Sequence, residues 1–216
     1  GGRYQLGSHF FRCWKRYGHG NVDFHRALRE SCDVYFYKLG RRLGVDRIAH
    51  YAHMMGLGER TGLDLGSERP GLIPTSRWKM KRFGVPWQAG ETISTSIGQS
   101  FVLVTPIQAA RMIAAVFNGG VLHQPKVVRW VGKGGDTEYR FEPTVLSRLD
   151  VAPEHLERIR RALIAVVHEP HGTGGRARVK GVNVAGKTGT AQVVNLETEK
   201  ASAKGKEEVP EKYRDH

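Results

Sequence analysis

Val184-Ala185-Gly186-Lys187-Thr188-Gly189-Thr190-Ala191-Gln192-Val193 is the stretch whose reading decides the fold. Apolar residues lead up to Lys187, small residues follow it, and Val193 and Val194 resume the pattern, which predicts a strand with an open edge. Gly186 and Gly189 let a second backbone come close. An extended ligand alongside such an edge would pair as an added strand while the Lys187 ammonium holds its carboxylate. Taken alone, a Lys-Thr-Gly triplet is equally the pattern of a surface strand with a solvated lysine, so its meaning depends on the rest of the chain.

The 216 residues, 39% of them hydrophobic, suit one globular domain with its own core. Lys and Arg number 34 against 21 Asp and Glu, a formal charge of +13. Such a charge first suggests nucleic acid or an anionic surface. The basic residues are scattered, however, Arg41, Arg42, Lys79, Lys81, Arg82, Arg158, Arg160, Arg161, Arg176, Arg178 and Lys180 among them, with no zinc-finger, RNA-recognition or helix-turn-helix signature. Nucleic acid is therefore set aside in favour of a solvated basic surface facing an anionic membrane or wall polymer. No apolar run approaches the roughly 20 residues of a spanning helix. The best candidate, Phe101 to Phe117, is broken by Pro106, Gln108 and Arg111. With no initiator Met or signal segment, and a stop at Arg214-Asp215-His216, both ends read as cuts in a longer chain.

Residues 1 to 20 carry no period and read as an ordered neck loop. Asn21 is placed to cap a helix with Asp23 in its first turn, ending near Glu30. A second helix runs from Val34 to Leu43 and stops at Gly44; a third spans Asp46 to Met55. Ser76 is read as the N-cap of a short helix, and Trp87 to Gln99 as a loop entering a buried segment. Thr105-Pro106-Ile107-Gln108 opens a long apolar helix with a capping box and is expected to form the central core helix. Val121 to Phe141 reads as strand, glycine turn and strand, and Pro153 to Val167 as an amphipathic helix. Residues 195–215, charged and poor in apolar residues, read as a mobile loop after the triplet.

Between the first two helices stands Ser31-Cys32-Asp33. A polar triplet there either presents Ser31 and Asp33 to a cleft or simply caps the second helix, and the residues alone leave both open. Together with Lys-Thr-Gly, a Ser-x-Asn/Asp loop is one of three elements of the penicilloyl-serine transferases, the third being a Ser-x-x-Lys nucleophile. The sole Ser-x-x-Lys, Ser76 to Lys79, follows the Ser31 triplet instead of preceding it and is read as a decoy.

Gly18-His19-Gly20, Ser31-Cys32-Asp33-Val34-Tyr35-Phe36-Tyr37, Thr61-Gly62-Leu63-Asp64-Leu65, Ile97-Gly98-Gln99, Thr105-Pro106-Ile107-Gln108 and Ala185-Gly186-Lys187-Thr188-Gly189-Thr190-Ala191-Gln192 together resemble the transpeptidase domain of class B penicillin-binding proteins, in the elongation subtype, penicillin-binding protein 2. The resemblance implies an α+β fold of the penicillin-binding transpeptidase and serine β-lactamase kind, with a helical subdomain on a five-stranded antiparallel sheet. It implies that the catalytic Ser-x-x-Lys lies upstream of Gly1. Ser100 stands where the family usually has glycine.

The implied chemistry is D,D-transpeptidation of peptidoglycan stem peptides through a serine acyl-enzyme, with β-lactams as covalent inhibitors and no cofactor for the acyl transfer. Ser31, Asp33 and Lys187 would be the catalytic residues in this chain, Ser31 relaying protons to the leaving amine. Lys187, Thr188, Gly189 and Thr190 would bind substrate, the Thr190 N–H giving half of an oxyanion hole. Membrane proteins of the elongation complex are the implied partners, and the periplasmic face of the inner membrane the implied location. A D,D-carboxypeptidase, a β-lactamase and a non-catalytic wall scaffold of the same fold are the competing readings.

Both cysteines fall into one set with a histidine, Cys13, His19 and Cys32, spaced C-x5-H-x12-C. Thiolate and imidazole suit structural zinc, with a fourth ligand from an upstream Asp. A Cys13–Cys32 disulfide, natural in an oxidising compartment, and two unrelated buried thiols are the alternatives. Because Cys32 lies inside the Ser31 triplet, a metal there would tether that loop.

Overall fold

The first twenty residues hold regular structure after all. The computed structural model describes residues 1–133 and 136–189. In it β1 (Arg3–Leu6) pairs antiparallel with β2 (His9–Arg12) about Gly7, whose φ of 59° makes the turn. β1 alternates polar and apolar residues, with Tyr4 and Leu6 half-buried, but only over four residues, and β2 does not alternate.

α1 (Phe24–Arg29) is capped by Asp23, which accepts from the Arg26 backbone N–H at 2.8 Å, and not by Asn21, whose carbonyl takes the Arg26 side chain. α2 (Asp33–Leu43) ends at Gly44, at φ 75°, which turns the chain straight into α3 (Val45–Met54). The hairpin rests on α2, where the Tyr37 ring meets Tyr4 and Phe11 with centroids 6.3 and 5.9 Å away. α4 (Ser76–Phe83) is capped by the hydroxyl of Thr75, not by Ser76, which donates instead to Asp46 at 2.6 Å and so pins α4 to the start of α3.

Residues expected as a loop form α5 (Ala89–Thr95), opened by a capping box between Gln88 and Glu91. Its glycine, serine and β-branched residues have low helix propensity. Burial of Thr92, Ile93 and Thr95 overrides that preference, and α2 packs so closely that a Cβ on Gly40 would lie 2.3 Å from the Ser96 side chain. α6 (Pro106–Phe117) has the anticipated capping box, contributing about 1 kcal/mol. Two of its four buried residues are polar: Gln108 donates to the Glu59 and Pro70 carbonyls, Arg111 to that of Gly56. This helix thus anchors loops as much as it fills the core.

β3 (Val121–His123), β4 (Trp130–Lys133), β5 (Asp136–Arg140) and β6 (Val145–Arg148) make two pairs, β4 with β5 as the expected hairpin and β3 with β6. α7 (Pro153–His168) follows, one residue longer than expected and burying Leu156, Ala162, Leu163, Ala165, Val166 and Val167. Ala115, Leu122, Leu149 and Leu156 close a core between α6, the β3–β6 pair and α7. The expected five-stranded sheet is absent among the described residues, which contain three two-stranded sheets. Residues 183–189 are likewise not a strand; the stretch hangs on α7 through the Gly186 N–H and the Leu163 carbonyl at 3.2 Å. A ladder needs a partner alongside, and none of the described strands lies beside it. The loop expected over 195–215 lies outside the described residues, as does the glycine pair Gly134-Gly135. No described helix is long and apolar enough to cross a membrane.

Candidate active site

Ser31 sits on the bend between α1 and α2 with φ at 54°, in the left-handed region that costs a serine about 1–3 kcal/mol. The surroundings hold it there. The Cys32 N–H donates to the Ala27 carbonyl at 2.9 Å, and the Trp14 indole N–H reaches the carbonyls of Glu30 at 3.1 Å and Ser31 at 2.9 Å. Asp33 is the first residue of α2, where a carboxylate meets the positive end of the helix dipole, and its Oδ2 accepts from the Trp14 backbone N–H at 3.1 Å. The N-cap of α2 is Cys32, with no side-chain cap bond, so Ser31 and Asp33 are not there to cap it.

Glu30 explains the rigidity of the bend. Burial alone would raise its carboxyl, but hydrogen bonds from Arg26 at 2.8 Å and Arg29 at 2.9 Å, with their charges, outweigh that and hold it at about 2. Arg29 reaches on to Glu169 at 2.6 Å, just beyond α7, and that hydrogen bond first of all, with burial opposing, keeps the Glu169 carboxyl below the usual carboxylate range.

Lys187 brings the second motif to the first. Its Nζ donates to Ser31 Oγ at 2.9 Å and to Thr188, at both the carbonyl and Oγ1, at 3.1 Å. Desolvation in the cleft lowers the ammonium below the ordinary lysine range and the Asp33 carboxylate pulls the other way, although the side chain still reaches solvent. Ammonium is a donor only, so Ser31 accepts this bond and keeps its own O–H to pass on. Thr188 Oγ1 is also 2.8 Å from Thr173 Oγ1. Gly189 follows at an exposed position, open enough that a Cβ there would touch nothing within 4 Å. Thr190 lies outside the described residues. Ser76 and Lys79 are committed elsewhere, the serine to Asp46 and the buried lysine to Glu91.

Cys13, His19 and Cys32 converge beneath this bend, all buried, with one donor atom from each lying within 4.8 Å of the others. Cys13 Sγ is 3.6 Å from His19 Nδ1, while His19 Nε2 is buried with no hydrogen-bond partner among the described residues. Both cysteines are free thiols. Burial raises the Cys13 thiol, and burial first, then the nearby Lys15 charge, lowers the His19 imidazole. The roles of Trp14, Glu30, Glu169 and Thr173 escaped the sequence reading: Trp14 stands in an aperiodic stretch, and Thr173 between Gly172 and Gly174 in a segment with no period of its own.

The penicillin binding protein transpeptidase domain matches residues 1–207. The peptidoglycan D,D-transpeptidase MrdA of Acinetobacter baumannii is 40% identical over 189 residues, 88% of this chain and 28% of that protein; MrdA of Escherichia coli K12 is 33% identical over 207 residues, 95% of this chain and 32% of that protein. The chain thus spans about a third of the length of these relatives. Among solved structures, penicillin-binding protein 2 of Helicobacter pylori superposes with a TM-score of 0.78 at 34% identity, covering 89% of this chain and 35% of that one. That of Pseudomonas aeruginosa, in complex with WCK 5153, gives 0.75 at 35% identity, covering 89% and 44%. With a contact from Lys187 to Ser31 across 156 residues of sequence, and a match running through nearly the whole chain, this protein belongs to the penicillin-binding protein transpeptidase family.

Proposed function

We propose that this chain supplies the Ser-x-Asp and Lys-Thr-Gly walls of a peptidoglycan D,D-transpeptidase. The observation that carries the reading is the Lys187 Nζ to Ser31 Oγ contact of 2.9 Å, which joins the two motifs in one site. In this reading a Ser-x-x-Lys serine, encoded ahead of Gly1, attacks the penultimate D-Ala carbonyl of a stem peptide. Its proton passes through Ser31 to the departing D-Ala amine, and the amine of a second stem peptide then displaces the serine from the acyl-enzyme. Lys187 orients Ser31 and, with Thr188, Gly189 and Thr190, receives the substrate carboxylate; Asp33 opposes the ammonium charge. A β-lactam enters the same path and stops at the acyl-enzyme. The relatives support partners of the elongation complex, since the Helicobacter pylori protein has been solved with MreC. The domain would work on the periplasmic face of the inner membrane, its anchor outside these residues.

Intact mass after incubation with benzylpenicillin tests this. The natural full-length protein is expected to gain one covalent adduct and residues 1–216 alone none. Acylation of residues 1–216 would make Ser76 the nucleophile and overturn the site assignment. A full-length protein that stays unmodified would leave a non-catalytic wall module.

The same reading includes a structural zinc on Cys13, His19 and Cys32. Two thiols and one imidazole, whose Nε2 is buried without a hydrogen-bond partner among the described residues, give three of the four ligands that a tetrahedral ion takes. Bound there, it would tie the hairpin strand's end to Cys32 and so brace the Ser31 bend. Elemental analysis of full-length protein prepared without chelator should find about one zinc per chain, and the Cys13→Ser variant markedly less. Absence of stoichiometric zinc from the wild-type protein would rule the site out.

A further inference from the structure

We propose that Thr173 is a positioning residue that sets the register between the Ser31 bend and the Lys-Thr-Gly segment. The inference rests on the acyl-transfer reading above. Neither side of the Lys187–Ser31 contact belongs to a regular element: Ser31 is on a bend, and residues 183–189 have no ladder among the described strands.

Thr173 touches both sides. Its Oγ1 lies 2.8 Å from Thr188 Oγ1, and its backbone N–H donates to the Arg29 carbonyl at 3.3 Å, two residues before Ser31. The contacts close into a ring: Arg29 carbonyl to Thr173, Thr173 to Thr188, Thr188 to the Lys187 ammonium at 3.1 Å, Lys187 to Ser31 at 2.9 Å, and back along the chain to Arg29.

The turn carrying Thr173 is fixed to the end of α7. The Gly172 N–H donates to the Glu169 carbonyl at 3.1 Å and the Gly174 N–H to that of Val166 at 2.9 Å. Gly172 approaches the helix so closely that a Cβ would stand 2.4 Å from the Val166 carbonyl oxygen, which is why no larger residue serves there. Glu169, at the root of the turn, takes Arg29 at 2.6 Å. A hydroxyl on so rigid a mount holds Thr188, and through it Lys187, where a hydroxyl on a mobile loop could not. Positioning errors of about 1 Å are enough to slow a reaction that depends on preset geometry.

The test compares Thr173→Val, which keeps the shape and removes the hydroxyl, with Thr173→Ser, which keeps the hydroxyl. Full-length protein is used, and the noncovalent affinity for benzylpenicillin and the acylation rate constant are separated by stopped-flow. Loss of one hydrogen bond predicts about a tenfold fall in the acylation rate constant for the valine variant. Its affinity and thermal midpoint are expected to match wild type, and the serine variant to stay within about twofold of wild type in rate. Thr173→Ala should behave as the valine variant does and takes its place if that protein does not fold. A hydroxyl-free variant as fast as wild type, or a serine variant as slow as the hydroxyl-free one, overturns the proposal. A wild-type protein that takes up no benzylpenicillin overturns the acyl-transfer reading itself, and this proposal with it.

Discussion

Replacing Lys187 by methionine is expected to slow benzylpenicillin acylation of the full-length protein by about a thousandfold while leaving its thermal midpoint in place. The ammonium does three things that a thioether cannot: it donates to Ser31 Oγ, it donates twice to Thr188, and it places a positive charge opposite Asp33. Without that donor, Ser31 is free to turn its own proton toward Thr188 or solvent and loses the orientation that a relay needs. Methionine keeps most of the side-chain length, so the comparison isolates charge and donation from bulk. Stability should hold because the lysine reaches solvent and leaves no buried partner behind. A rate within tenfold of wild type would mean that the 2.9 Å contact is incidental and that the two motifs serve separate purposes.

The second large effect falls on stability. Glu30→Ala should destabilise the domain by about 3 kcal/mol, because it leaves buried positive charge without its counter-charge. Glu30 has a side chain only 4% exposed and accepts from both Arg26 and Arg29; Arg29 is itself 17% exposed. Arg29 would keep Glu169 at one end, but its Nε already has no hydrogen-bond partner among the described residues, and losing Glu30 adds to that deficit. Glu30→Gln restores the acceptor without the charge and should recover part of the loss. Calorimetry of the full-length variants reads both, in the transition that the transpeptidase domain gives. A midpoint unmoved in Glu30→Ala would show that the arginines simply turn to water and that the bend stands without them. The same variant should also acylate slowly, since Glu30 precedes the strained Ser31 and its carboxylate fixes Arg26 and Arg29 on the helix that leads into the bend.

Local chemistry was legible wherever it was self-contained. The capping box at Thr105 and Gln108, the stop at Gly44 and the amphipathic run from Pro153 follow from hydrogen bonds and periods within a few residues, and the structure carries each of them. Elements stabilised by distant partners were not. α5 has weak propensity and forms because Thr92, Ile93 and Thr95 are buried, and in the β1–β2 hairpin only the four residues of β1 alternate, too short a run to stand out. The caps were ambiguous for another reason: Asp23 and Thr75 each stood near a residue of equal chemical promise, Asn21 and Ser76, and only the local backbone chose between them.

At the site the division is sharper. From the sequence alone came the order and identity of the motifs, and therefore the family, the roles expected of Ser31, Asp33 and Lys187, and the grouping of Cys13, His19 and Cys32, because chemistry of this kind demands those residue types in that order. Tertiary structure alone decided that Lys187 reaches Ser31, that Trp14 and Glu30 hold the bend, and that Thr173 spans the two motifs. The contacts of Lys187 with Ser31 and of Thr173 with the two motifs join groups far apart in the chain, at distances that depend on the packing of α1 against α7 and leave no mark on the spacing of residues.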